Sequence, residues 1–268
     1  KYFRGSGRNT GLYSGPARLR IRITLWRFIT VTVTGFTGIV IIFLFLGSMF
    51  FFTLTRDQEK ERNLRQIPAF RRIKEVIGLT VEEGSQLHVS LGRGGFTSLQ
   101  SASALAGLSI LQEIIKASSV CDYPPVATTG NATISFLAQD IIQGTSEAIS
   151  TEGHERSSVG ELVGLTPFSY AVGTLTTIRE NQVSANILAG WYGNEITWLT
   201  TAGERQSSPT IAGTAQLPAQ AIMYASASEP LIGEEIFTAG AYLGKKPMHV
   251  SSVNTQDIFR WILVVLMI

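Results

Sequence analysis

Residues 87–116, LHVSLGRGGFTSLQSASALAGLSILQEIIK, decide the fold. A short apolar run, 87–91, breaks on Gly92-Arg93-Gly94-Gly95 and gives way to a long helical pattern over 98–116. Thr97 with Gln100 reads as a capping box at the helix start. Ala102, Ala106 and Gly107 would let that helix sit close on a sheet. The same rhythm continues from 84 to 250. Further short runs fall at 126–129 (VATT), 161–165 (ELVGL), 184–189 (SANILA), 210–214 (TIAGT) and 221–225 (AIMYA). Between them lie helical patterns with good ends. Asn131 caps one, Thr166-Pro167 opens another with Pro in the first turn, and Asn194 precedes a third. The last is expected to begin at Glu229-Pro230 and to stop at Gly244-Lys245-Lys246-Pro247, with acids early and bases late. Strand and helix alternating at these lengths predict an α/β fold with a mainly parallel sheet and helices on both faces. No internal repeat is present.

In an open parallel sheet, ligands sit at the carboxyl ends of the strands, near the switch point. The expected ends are small or polar. Gly92, Arg93, Gly94 and Gly95, with Thr129, Gly130 and Asn131, are the candidate ligand-binding residues, because glycine amides before a helix can cradle an anion. The pattern is not a dinucleotide fingerprint, since Thr97 stands where the third glycine belongs. It is not a phosphate loop, since no Gly-Lys-Ser/Thr follows. Tight strand-to-helix turns need the same small residues with no ligand at all.

Catalytic groups do not converge. His88, His154 and His249 are far apart, with no paired metal spacing. His88 reads as a packed histidine in a strand and His154 as part of a polar loop. Cys121 is the only cysteine and has no motif around it; it excludes a disulfide within the chain and fits a reducing compartment. Glu234 and Glu235 read as a solvated helix face. Asn131-Ala132-Thr133 matches a glycosylation acceptor, but Asn131 serves better as a cap. The sequence implies no metal and no cofactor, and leans away from an enzyme.

The chain carries a membrane signal as well. Gly35–Leu54, GFTGIVIIFLFLGSMFFFTL, has no charge, and at about 1.5 Å per residue it spans the roughly 30 Å core of a bilayer. Trp26 and Arg27 precede it and Arg56, Asp57 and Glu59 follow, the usual interface pattern. It is too long for the apolar core of a cleaved signal peptide, and no cleavage site follows. Residues 35–55 are therefore expected to be a transmembrane helix. WILVVLMI, 261–268, reads as the start of a second membrane helix over 258–268, which makes the chain multi-pass. The expected α/β domain, 84–250, is thus flanked by transmembrane helices.

The charge is local. Of 22 basic residues, seven lie in residues 1–27 with no acid among them, leaving 15 basic against 20 acidic residues elsewhere. The basic arm, 1–34, is expected to meet anionic lipid headgroups. Nucleic acid is not expected, since neither aromatic interleaving nor a known module is evident. Within the arm, 19–34 alternates apolar and polar residues. It reads either as the last strand of an upstream β domain or as an extension of the membrane helix. The charged juxtamembrane segment, 56–83, holds an amphipathic helix from Pro68, with Phe70, Ile73, Val76 and Ile77 on one face. That face lies on the membrane or on the domain. The positive-inside rule slightly favours a cytoplasmic α/β domain.

The segments IPAFRRIKEVIGLTVEEGSQLHVSLGRGG, SASALAGL, PPVATTGNA, GLTPFSYAVG, QVSANILAGWYGNE and AIMYASASEPLIGEEIFTAGAYLG resemble a family of uncharacterised bacterial membrane proteins. That family is a domain of unknown function, found chiefly in filamentous, often phototrophic bacteria and their relatives. The resemblance covers roughly residues 65–268 and implies a membrane-tethered domain, with no catalytic residue to carry over.

Two functions follow as expectations. The first is a structural or assembly subunit of a membrane complex, as a homo-oligomer or with other membrane subunits. Low charge (16%) and Ala/Gly/Ser-rich helices favour it, since weakly charged surfaces are readily buried between subunits. The alternative is a membrane-tethered domain that binds or senses a small anion or nucleotide.

Overall fold

The computed structural model describes residues 17–54, 64–97, 100–118, 123–149, 160–181 and 183–268, with only the backbone for 17–34 and 146–149. The basic residues of 1–16, the charged stretch 56–63, Cys121 and His154 lie outside them. The chain divides into two compact units, Lys1–Thr55 and Arg56–Ile268.

In the first unit the described residues form one helix, α1 (Ala17–Leu54). Of the two readings of 19–34, the helical one holds. The alternating Thr and Val residues continue the apolar helix and do not form a strand. Among the described residues one segment, Gly35–Leu54, is long and apolar enough to cross a membrane, and none of it is buried.

In the second unit the elements follow as α2 (Pro68–Glu83), β1 (Leu87–Gly92), α3 (Ser101–Ala117), β2 (Val126–Thr129), α4 (Ala132–Ile149), β3 (Gly160–Leu162), α5 (Pro167–Glu180), β4 (Ala185–Trp191), α6 (Ile196–Arg205), β5 (Thr210–Gly213), α7 (Leu217–Ser226), β6 (Glu229–Leu231), a 3-10 turn (Gly233–Thr238), α8 (Ala239–Tyr242) and α9 (Pro247–Met267). Six strands pair in the order β3-β2-β1-β4-β5-β6, and every pairing is parallel. This is the doubly wound order, with its switch point between β1 and β4.

The pleat sorts β1 into two faces. Leu87, Val89 and Leu91 face a core shared with Phe70 and Ile73 of α2, Ile110, Leu111 and Ile114 of α3, and Ile134 and Ile142 of α4. Each such side chain contributes roughly 1.5–3 kcal/mol on leaving water. The other face packs Leu188 and Ala212 against Tyr170 of α5, Ile196 and Leu199 of α6, and Ala219 and Met223 of α7. The apolar face of α2 therefore lies on the domain, and the α/β unit begins before residue 84.

Two expected elements at the C-terminal end exchange places. AIMYA is not a strand but the body of α7, with a proline in its first turn. Ala219 and Met223, four apart, supply one buried face. Glu229-Pro230-Leu231 is not a helix start but β6. Pro230 is tolerated there because β6 is an edge strand and pairs only with β5. Helix α3 begins at Ser101, and its cap position is Gln100, which makes no side-chain cap bond to the helix. Ala104 in its first turn backs onto Gly94. The other caps behave as expected. Asn131 Oδ1 accepts from the amides of Thr133 and Ile134 at 3.0 and 3.3 Å, and Thr166 forms a capping box with Ser169. Helix α6 is preceded by Glu195, with Asn194 lending only its carbonyl, 3.2 Å from the Thr197 amide.

Candidate functional site

The seven sequence-predicted residues do come together, at the carboxyl ends of β1 and β2. The Gly92 carbonyl accepts from the Gly130 amide at 2.9 Å and from Thr129 Oγ1 at 3.2 Å. Thr129 Oγ1 accepts in turn from the Asn131 amide at 3.2 Å. Gly95 lies against the Asn131 side chain.

Arg93 reaches across the switch point. Its amide donates to the Trp191 carbonyl at 2.9 Å, which zips β1 to β4 beyond the regular ladder. Its guanidinium Nε donates to Glu195 Oε1 at 2.9 Å and lies 5.8 Å from the centre of the Trp191 ring. Glu195 is only 6% exposed. Burial acts to raise its pKa, but the Gly193 backbone, Arg93 and its own amide outweigh that and hold it below the ordinary glutamate value. Glu195 is therefore an anion that neutralises Arg93. The loops after β1 and β4, which part to opposite faces of the sheet, are laced together by this pair.

Beneath the bridge lies a buried polar cluster. The hydroxyls of Ser90 and Tyr170 share a short hydrogen bond. Tyr170 Oη also accepts from the Gly92 amide at 3.1 Å, and Tyr192 Oη donates to the Ser90 carbonyl at 2.6 Å. Burial raises the pKa of Tyr170, and that of Tyr192 further, so both stay neutral donors. One turn of the pleat away, His88 is fully buried. Its Nδ1 lies 3.1 Å from Asn186 Oδ1 and its Nε2 2.8 Å from Thr128 Oγ1. As oriented, Nδ1 donates to the amide oxygen and Nε2 accepts from the hydroxyl. Burial lowers its pKa to about 4, partly opposed by Asn186, so the ring is neutral. It is the packed strand histidine the sequence predicts.

The sequence did not reveal Glu195 as the partner of Arg93, nor Tyr170 as the group under Gly92. Both contacts join residues far apart in the chain, and no local motif encodes them. Glu234 is not simply solvated: it pairs with Arg260, while Glu235 accepts from the Ile232 amide at 3.1 Å. Among the described residues no group of three or more His, Cys, Asp or Glu is placed to hold a metal ion.

A family model described as a domain of unknown function (DUF6754) matches residues 29–268. The chain belongs to that family. The match takes in Gly35–Leu54 together with the whole α/β unit, so it reaches further toward the N-terminus than the resemblance carried by residues 65–268. No curated protein and no solved structure matches the chain.

Proposed function

We propose that the chain is a membrane-anchored α/β subunit that works by contact, as a structural or assembly component of a membrane complex. The observation that carries this reading is the state of the switch point. Arg93, Glu195 and Trp191 close it with the protein's own groups, and the Ser90–Tyr170–Tyr192 cluster fills the layer below. The place where this topology holds ligands is used here to tie two loops together. Gly35–Leu54 anchors the chain in the bilayer, and the end of α9, Trp261–Ile268, enters it as a second segment. The basic arm contacts anionic headgroups, and the α/β unit lies on the cytoplasmic side with copies of itself or other subunits as partners.

A second reading, a small-anion or nucleotide-binding sensory domain, is favoured by the strand order itself and by the glycine loop at the end of β1. Native mass measurement of the full chain in mild detergent separates the two. The contact reading expects more than one subunit and no retained small molecule. A monomer that carries a phosphate-bearing molecule would overturn it in favour of the second.

A further inference from the structure

The two edges of the parallel sheet have different chemistry. Helices α3 to α7 each follow a strand, so their first turns gather at the carboxyl edge. Those five first turns, SASA, ATIS, PFSY, ITWL and LPAQ, contain no charged residue. Solvated helix N-termini favour acids there. Instead, six large apolar side chains stand exposed at this edge: Phe96, Phe136, Leu165, Phe168, Trp198 and Leu217. Phe136 is 78% exposed, Phe168 72%, Trp198 60% and Leu217 79%. Helical side chains lean toward the N-terminus, which carries Phe136 and Trp198 out over the edge. The charges lie at the other end of these helices, as Lys116, Arg179, Glu180, Glu204 and Arg205.

The path of α9 identifies what covers this edge. Lys246, just before α9, pairs at 3.0 Å with Glu113, in the last third of α3 and so toward the amino edge. Arg260, about two thirds along α9, pairs with Glu234, three residues after β6 and so at the carboxyl edge. Between them Val250, Ser251 and Thr255 are buried against the domain. Helix α9 thus climbs the domain from amino to carboxyl side, and its exposed apolar end, Trp261–Ile268, projects past the carboxyl edge. The first residues of α2 lie on that side as well. Thr80, late in α2, bonds Ser184 just before β4 at 2.9 Å, so the start of α2 points the opposite way.

We infer that the carboxyl edge of the sheet rests on the bilayer surface, with these six side chains dipped into the interface. Exposed Trp, Phe and Leu are the residues that settle at this depth, and the charges at this edge include two pairs, Arg93 with Glu195 and Arg260 with Glu234. The inference rests on the membrane-anchored reading above.

The test uses the full chain in nanodiscs of phosphatidylcholine and phosphatidylglycerol, with Cys121→Ser as background. Single cysteines at Phe168→Cys and Trp198→Cys carry a spin label. Ile42→Cys marks the anchor, and Tyr224→Cys marks an exposed site late in α7, at the amino edge. Accessibility to oxygen against a water-soluble nickel chelate is read at each. The expected result is oxygen preference at 42, 168 and 198, and nickel preference at 224. Nickel preference at 168 and 198 with oxygen preference at 42 would overturn the inference and leave the anchor standing. Nickel preference at all four would sink the anchor as well. Labels at 168 and 198 shielded from both reagents and broadened by a neighbouring spin would overturn it in favour of a second copy on this edge.

Discussion

Acid should unfold the α/β unit through one residue in particular, His88. Its side chain is fully buried between Asn186 and Thr128. Burial pulls its pKa from 6.5 to about 4, and the bond to Asn186 opposes only part of that. An unfolded chain binds the proton near 6.5, while the folded one refuses it until about 4. Between those values the unfolded state holds the extra proton, so stability falls as pH falls. The slope reaches about 1.4 kcal/mol per pH unit, and the whole loss is about 3 kcal/mol, a large share of a typical domain's stability. It is complete below about pH 4 and absent at neutral pH. The assay is denaturant unfolding of the full chain in detergent across this range, followed by tryptophan fluorescence. His88→Gln, which does not titrate, is measured in parallel. Carboxylates elsewhere act on both proteins and cancel in the difference. The expected outcome is a wild-type stability that drops by about 3 kcal/mol relative to the variant between pH 6.5 and about 4. Parallel loss in the two proteins would refute the reasoning.

Removing Arg93 leaves Glu195 buried without its cation, so Arg93→Ala should cost about 2–3 kcal/mol in thermal unfolding, and adding Glu195→Gln should recover part of it. A Cβ at Gly107 would overlap the carbonyl of Ala189 in β4, so Gly107→Ala should destabilise by about 1–3 kcal/mol. Gly78→Ala, where nothing stands within 4 Å, should instead stabilise α2 by up to about 1 kcal/mol, as read by the same melts. Ile42→Arg places a charge in the middle of Gly35–Leu54 and should cost about 2.5–3.5 kcal/mol on insertion, seen as loss of the chain from carbonate-washed membranes.

The alternation of elements was legible because each strand is a short apolar run and most helices carry a local start signal. Thr166 and Asn131 bond the amides their positions require. Reading failed where two local signals competed. Glu229-Pro230 looks like a helix start because Pro suits a first turn, yet an edge strand also tolerates Pro, and pairing with Ile211 and Ala212 decides it. AIMYA looks like a strand because it is short and apolar, yet its helical spacing buries Met223 on Ala212 and Leu188. Strand order was beyond local signals altogether, since it is set by which faces the helices cover. The chemistry of the site was legible in its residues but not in its pairing: Arg93 and Glu195 stand 102 residues apart in the chain.

The glycines at the switch point make the same argument at atomic scale. In the sequence, Gly92, Gly94, Gly95 and Gly130 look like a cradle for an anion. In the structure Gly92 has a positive φ of 70°, and a Cβ there would strike the Trp191 carbonyl. A Cβ at Gly130 would meet the Arg93 side chain, one at Gly94 would press on Ala104 and Trp191, and one at Gly190 would strike the Leu91 carbonyl. Each lets backbone or side chain approach where β1, β2, β4 and α3 converge. Close approach accounts for these positions without a ligand, and the one cation among them is paired with a buried carboxylate. An anion entering here would compete with Glu195 for Arg93 and leave the buried carboxylate without its cation, which costs about 3–5 kcal/mol when such a pair is broken. The glycines that look like a cradle in the sequence are what let these groups approach so closely.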